Sequence, residues 1–160
     1  MKKDSIKKAK KLKALGELGE LIGIKALVDD GFTRVCNLND KKMNFPYADL
    51  YAEKNGKKYV ISIKARNKIQ LNGKINSSYK LGTNAYSKAT KASKANSNAI
   101  PAWLAIPFTE HNYSVYFGTL KELNNAPSIS IIKCVNQNIG KCLVDNKNHY
   151  FDWDFFTNKF

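Results

Sequence analysis

Polar and hydrophobic positions alternate in two short runs near the middle of the chain, and this pattern predicts a β-hairpin. The runs cover residues 45–53 and 58–66, and Asn55-Gly56 lies between them. Asn-Gly favours a type I′ turn, in which both central residues have positive φ. A two-residue loop at this point sets a register that places Asp49 opposite Ser62.

A longer hydrophobic period predicts a helix over residues 5–30. Apolar residues recur three and four positions apart from Leu15 onward, and the glycine after Asp30 is typical of a helix C-terminus. Gly16, Gly19 and Gly23 lie inside this helix, where each costs about 1 kcal/mol relative to alanine. We therefore expect another backbone to approach the helix closely at these positions.

The remaining pattern predicts a mixed α/β domain. We expect a strand over 32–38, a helix over 78–98, strands over 102–108 and 113–119, a short helix over 120–125 and a strand over 129–135. The type of the short runs 142–144 and 149–156 stays open. The chain has 160 residues and shows neither a repeat nor a long linker, so a single domain spanning residues 1–160 is expected.

The charge distribution points to a polyanionic partner. The chain has 27 Lys and Arg against 13 Asp and Glu, a formal net charge of +14. No acidic residue occurs between positions 54 and 108, which hold eleven basic residues. Clustered lysines bind phosphates and release counterions. A biased coding background is the alternative explanation, because only Arg34 and Arg66 are arginines.

Several function classes are excluded by what the sequence lacks. The three cysteines, Cys36, Cys134 and Cys142, form no CxxC pair, so a disulfide framework is not expected. His111 and His149 lack zinc-ligand spacing with them. No phosphate-loop, dinucleotide-binding or GxSxG motif is present. No run approaches the roughly 20 apolar residues of a membrane span, so we expect a cytoplasmic protein without membrane contact.

The predicted hairpin carries the candidate chemistry. Under the expected register Asp49, Ser62, Lys64 and Arg66 share one face, and the apolar residues Leu50, Ile61, Ile63 and Ala65 share the other. The first face therefore holds a carboxylate within reach of a lysine. An ordinary cross-strand ion pair and a catalytic pair are both compatible with this pattern.

The stretch Pro46-Tyr47-Ala48-Asp49, followed by Ser62-Ile63-Lys64, resembles the PD-(D/E)xK nuclease superfamily. Gly19-Glu20, with Gly31-Phe32 eleven residues later, resembles the opening helix of that family. The resemblance covers about residues 15–118 and leaves 119–160 as C-terminal strands and an aromatic segment. It implies a restriction-endonuclease-like αβββαβ core with a mixed central sheet flanked by helices. Small members include Holliday-junction resolvases and restriction or homing endonucleases.

The resemblance also implies a role for each site residue. Asp49 would be the principal ligand of Mg²⁺ or Mn²⁺, Glu20 a further ligand, and the backbone carbonyl of Ile63 would complete the metal sphere. Lys64 would orient the attacking water. Ser62 stands where the family has its second acid, and a hydroxyl supplies no negative charge, so Glu20 is expected to replace that acid, with Glu17 in reserve. Phosphate contacts are expected from Arg66, Lys68, Lys88, Lys91 and Lys94.

These features together predict a metal-dependent DNA endonuclease that acts as a homodimer, because cutting both strands of a duplex needs two sites. The main alternative is a catalytically degenerate nuclease fold that serves as a basic nucleic-acid-binding module. A third possibility is a ribosome- or RNA-associated protein.

Overall fold

A computed structural model describes residues 2–40, 45–67, 73–109 and 112–145, with side chains from residue 5 onward. Two single 3₁₀ turns, at Leu38–Asp40 and Leu120–Leu123, accompany the regular elements. In chain order these elements are α1 (Lys2–Asp29), β1 (Thr33–Asn37), β2 (Leu50–Lys54), β3 (Lys57–Asn67), β4 (Ser78–Lys80), α2 (Ala85–Ala95), β5 (Ile100–Phe108), β6 (Val115–Thr119), β7 (Ser128–Ser130), α3 (Ile131–Asn136) and β8 (Lys141–Val144).

Six of the strands form one mixed sheet in the order β1-β2-β3-β5-β6-β8. β3 and β5 are parallel, and every other neighbouring pair in this sheet is antiparallel. The connection between the two parallel strands contains β4 and α2, and β4 pairs with β7 in a separate two-stranded sheet. The α/β class and the mixed sheet that the sequence predicted are thus confirmed.

The β2–β3 hairpin forms with the expected turn and register. Asn55 and Gly56 have φ values of 52° and 75°, which are the positive angles of a type I′ turn. The ladder runs from Lys54 opposite Lys57 to Leu50 opposite Ile61, as the loop length predicted. The local sequence therefore sets the geometry of this hairpin.

Helix α1 packs against the sheet through two of its three glycines. A Cβ at Gly19 would lie 2.7 Å from the Cβ of Ala65, and one at Gly23 would lie 3.0 Å from the Cδ1 of Leu104. At Gly16 a Cβ would meet nothing within 4 Å. The expected close approach therefore occurs at Gly19 and Gly23, where the neighbours are side chains rather than backbone, and it does not occur at Gly16.

The sheet is buried on both faces. One core lies between the sheet and α1 and includes Leu27, Leu50 and Leu104. The other lies on the opposite face around Trp103 and Tyr79. Neighbouring residues of β5 point to opposite faces, so Trp103 and Leu104 belong to different cores. Both faces of the hairpin are thus covered, which was expected only of the apolar one.

Some predicted boundaries were wrong. Regular strand structure begins at Leu50 rather than at residue 45. The helix predicted over 78–98 covers only Ala85–Ala95, because Ser78–Lys80 pairs with β7. The strand predicted over 129–135 ends at Ser130, whose hydroxyl accepts a hydrogen bond from the Lys133 N–H and begins α3. The run 149–156 lies outside the described residues.

Candidate active site

Asp49 precedes β2 and interrupts the regular ladder. Its N–H donates to the carbonyl of Ile61 at 2.9 Å, although Ile61 faces Leu50 in the ladder. Its Oδ2 accepts a hydrogen bond from the N–H of Ile63 at 2.7 Å. An irregularity of this kind turns a side chain to a new direction. Asp49 is therefore held at the Ile63 backbone, which corrects the expectation that it pairs regularly with Ser62.

The surroundings of Asp49 favour its protonated form more than water does. Burial raises the pKa of its carboxyl, and the Ile63 N–H and the Lys64 charge oppose that shift without cancelling it. The carboxylate thus lies between a backbone donor and a lysine in a largely desolvated position. Such a perturbed acid is typical of a functional site.

Glu20 reaches the same place from helix α1. Its Oε2 accepts a hydrogen bond from the Nδ2 of Asn37 at 2.8 Å, which fixes the carboxylate near the end of β1. Burial raises the pKa of Glu20, and the charges of Asp49 and Asp40 raise it further against the Asn37 bond. Glu20 and Asp49 therefore repel each other, and a cation between them would relieve the repulsion.

A cavity of about 410 Å³ brings the two carboxylates together. It lies between the first half of α1 and the hairpin, and its lining residues are Leu12, Leu15, Gly16, Glu20, Asp49, Ile63, Ala65 and Arg66. Three of the predicted metal-site positions therefore line one cavity. The guanidinium of Arg66, which donates to the carbonyl of Ala65 at 2.8 Å, adds a positive charge at its edge.

Lys64 does not line this cavity, although its charge acts on Asp49. Burial lowers the pKa of its amine, the charge of Asp49 opposes that shift, and the charges of Arg66 and Lys88 add to it. None of the ion pairs among the described residues joins Lys64 to Asp49. The simple cross-strand ion pair that the sequence allowed is therefore not formed.

The other predicted residues divide into near and distant groups. Ser62 is only 1% exposed and does not line the cavity. Glu17 is exposed on α1 and forms an ion pair with Lys13 at 3.8 Å, away from the cavity. Three exposed lysines lie on α2, namely Lys88, Lys91 and Lys94. Lys68 lies outside the described residues.

Two asparagines that the sequence analysis missed hold the site from the β1 side. Asn37 binds Glu20, and Asn39 lowers the pKa of both Glu20 and Asp49. The Oδ1 of Asn37 also accepts the N–H of Asn39 at 2.8 Å, which orders this turn. Asn37 is the last residue of β1 and Asn39 lies in the turn that follows, and neither belongs to a spacing pattern that would have marked it in the sequence.

The donor set fits a hard divalent cation. Asp49 and Glu20 offer two carboxylates, and Ile63 lines the same cavity and could add a carbonyl oxygen. Mg²⁺ commonly takes one or two carboxylates and fills its remaining positions with waters and substrate phosphate. In the described ranges no group of three or more His, Cys, Asp or Glu side chains is placed to hold a metal. Water and phosphate would therefore supply much of the coordination.

Comparison of the chain with models of protein families, with curated proteins and with solved structures finds no match. Among the described residues no helix combines the length and the apolar character needed to cross a membrane.

Proposed function

We propose that this protein is a metal-dependent DNA endonuclease of the PD-(D/E)xK type. The observation that carries the proposal is that Asp49, Glu20 and Ile63 line one cavity at the end of the β2–β3 hairpin. Apart from β4, which belongs to the separate two-stranded sheet, the order helix, three antiparallel strands, helix and parallel strand supports it, because it resembles the order of the family core.

Each residue has a role that follows from its surroundings. Asp49 and Glu20 would hold Mg²⁺ or Mn²⁺, together with the carbonyl of Ile63. The bound metal would supply an acidified water and neutralise charge that develops on the phosphate. The half-buried amine of Lys64 would hold the attacking water or a phosphate oxygen on the side facing Asp49, and the amides of Asn37 and Asn39 would keep both carboxylates oriented.

The charge around the cavity supports a phosphodiester substrate. Arg66 lines the cavity, and the charges of Arg66 and Lys88 both act on Lys64. Lys88, which is exposed on α2, therefore adds positive charge near Lys64. Phosphate contacts of this kind position a strand without reading its sequence. Two copies of the chain would serve the two strands of a duplex.

A second candidate function is nucleic-acid binding without cleavage. Ser62, which stands at the position of the family's second acid, is buried and lies off the cavity, so it contributes no metal ligand. If Glu20 does not replace that acid, the basic surface would still bind nucleic acid.

The test is cleavage of supercoiled plasmid and of a four-way junction with Mg²⁺, Mn²⁺ or EDTA. We expect metal-dependent cutting that Asp49→Asn and Glu20→Gln each reduce by at least about 100-fold, since each removes a metal-ligand charge. DNA affinity of both variants should equal or exceed that of the unmodified protein, because a negative charge is lost.

Glu17→Gln is the matched control. It makes the same change three residues earlier on the same helix, at an exposed position off the cavity. Full activity of Glu17→Gln beside an inactive Glu20→Gln supports the proposed metal site. Cleavage by Asp49→Asn at the unmodified rate would refute it, and salt-sensitive binding without cutting under any metal would favour the second candidate.

A further inference from the structure

Helix α1 is much longer than the sheet that it covers. It runs from Lys2 to Asp29, and its first buried residues are Ala14 and Leu15. Every residue from 5 to 13 is exposed. The segment before Ala14, here called the α1 arm (residues 2–13), is therefore about 18 Å of helix in which none of the described side chains is buried.

The arm carries a strong positive charge. The first 13 residues of the chain contain seven lysines and one acid, Asp4. The single ion pair that the described residues form at this end of α1 joins Lys13 to Glu17, at 3.8 Å. The arm therefore carries a large net positive charge that its own acidic residue does not neutralise.

The face of the arm that is directed toward the sheet side carries lysines around Leu12. Leu15, Leu18 and Ile22 form the stripe that packs α1 against the first core. Counting back from Leu15 by three, four and seven residues gives Leu12, Lys11 and Lys8, and Lys7 lies one turn before Lys11. Beyond Leu12 the stripe therefore continues as lysine rather than as leucine.

The arm is continuous with the candidate active site. Leu12 lies on the arm and lines the cavity that contains Glu20 and Asp49. A nucleic-acid strand bound along the arm would therefore lead directly to the two carboxylates. The length of the arm matches the rise of about five base pairs of duplex DNA.

We propose that the α1 arm binds the phosphate backbone of duplex DNA beside the strand that enters the cavity. The DNA identity of the substrate rests on the proposed function. The arm of a second copy is a poor occupant of this site, because it carries the same seven lysines and would repel the first. A lipid surface also fits poorly, because Ile6 and Leu12 are about 120° apart on the helix and form no apolar face.

The test compares two triple variants that each remove three positive charges. The arm variant is Lys7→Gln, Lys8→Gln and Lys11→Gln, and glutamine has nearly the helix propensity of lysine. The matched control is Lys57→Gln, Lys58→Gln and Lys121→Gln. Its lysines are exposed, and Lys57 and Lys58 lie at the opposite end of β3 from the cavity. Circular dichroism should show equal helix content in all three proteins.

Affinity for a 30-base-pair duplex is measured in EDTA by fluorescence anisotropy from 50 to 300 mM salt. Loss of three phosphate contacts makes the negative slope of log K against log salt shallower by about 2.7 and lowers the affinity at 0.1 M salt by about 100-fold. We expect that change in the arm variant and less than a threefold change in the control. Equal behaviour of the two variants would overturn the proposal.

Two further outcomes would replace the proposal. If the arm variant loses only its binding to phosphatidylserine vesicles, the arm is a membrane contact. If it loses only self-association in sedimentation, the arm is an interface between copies of the chain. The binding assay does not depend on cutting. If the arm variant binds DNA more weakly but the unmodified protein never cleaves, the role of the arm is supported and only the endonuclease proposal is refuted. If the protein cleaves DNA but the arm variant binds it with unchanged affinity, only the role of the arm is refuted.

Discussion

Alanine substitutions at Gly16 and Gly19 should change stability in opposite directions, although the two positions lie three residues apart on α1. A Cβ at Gly19 would stand 2.7 Å from the Cβ of Ala65, an atom attached directly to the backbone of a central strand. Ala65 cannot rotate away, so the helix and the sheet would have to separate. At Gly16 the added methyl would meet nothing within 4 Å.

The size of each effect follows from these contacts. Overpacking of this kind costs about 2–3 kcal/mol, and replacing a helical glycine by alanine recovers about 1 kcal/mol. We therefore expect Gly19→Ala to lower the free energy of unfolding by about 1–2 kcal/mol. Gly16→Ala meets no clash and should raise it by about 0.5–1 kcal/mol.

Urea unfolding followed by far-ultraviolet circular dichroism would measure both values, with the buried Trp103 as an independent fluorescence probe. A common m-value for the three proteins would show that only stability has changed. Equal effects of the two substitutions would refute the close packing of α1 on β3 at Gly19, and a loss of stability in Gly16→Ala would refute the open space at Gly16.

Three other predictions follow from separate features. Gly16→Leu should fill the cavity and reduce plasmid cleavage at least about 10-fold without lowering the free energy of unfolding. Unchanged cleavage would show that substrate does not enter this cavity. Burial raises the pKa of Asp30, but hydrogen bonds from Lys141 and Lys54 outweigh it and hold the pKa below 3.8. The stabilisation from Asp30 is therefore present above pH 3.8 and lost as pH falls through the pKa of the folded state. Asp30→Asn should lower the free energy of unfolding by about 1 kcal/mol at pH 7 and by progressively less below pH 4. A loss of stability that does not depend on pH would contradict this linkage. The buried hydroxyl of Tyr79 has no hydrogen-bond partner in the described part of the chain. Tyr79→Phe should therefore raise the free energy of unfolding by about 1 kcal/mol in urea unfolding. A decrease of that size would mean that water satisfies the hydroxyl.

The sequence predicted those parts of the fold that short-range chemistry determines. Asn55-Gly56 set the hairpin and its register, and the apolar period of α1 located that helix. Boundaries that depend on distant partners could not be read in the same way. Ser78–Lys80 is a strand because it pairs with Ser128–Ser130, about fifty residues later, and nothing within its own segment indicates that pairing.

The members of the candidate site were predictable only in part, because Ser62 and Lys64 do not line the cavity, and its geometry was less predictable. Glu20, Asp49 and Ile63 line one cavity as the resemblance implied. The bond from the Ile63 N–H to the Asp49 carboxylate could not be inferred from an ideal register, because it replaces a regular ladder contact. Asn37 was overlooked because an amide that orients a carboxylate leaves no spacing pattern in the sequence.

The close contacts of α1 with the sheet also divide the helix into an anchored part and a free end. A rigid tilt about Gly19 that moved Lys8, about 16 Å away along the axis, by about 5 Å would move Leu27, about 12 Å away on the other side, by about 4 Å. Leu27 is fully buried and a Cβ at Gly23 would lie 3.0 Å from the Cδ1 of Leu104, so the core resists such a tilt. The arm can therefore follow an uneven partner only by bending before its first buried residue, and Glu20 stays in place beside Asp49.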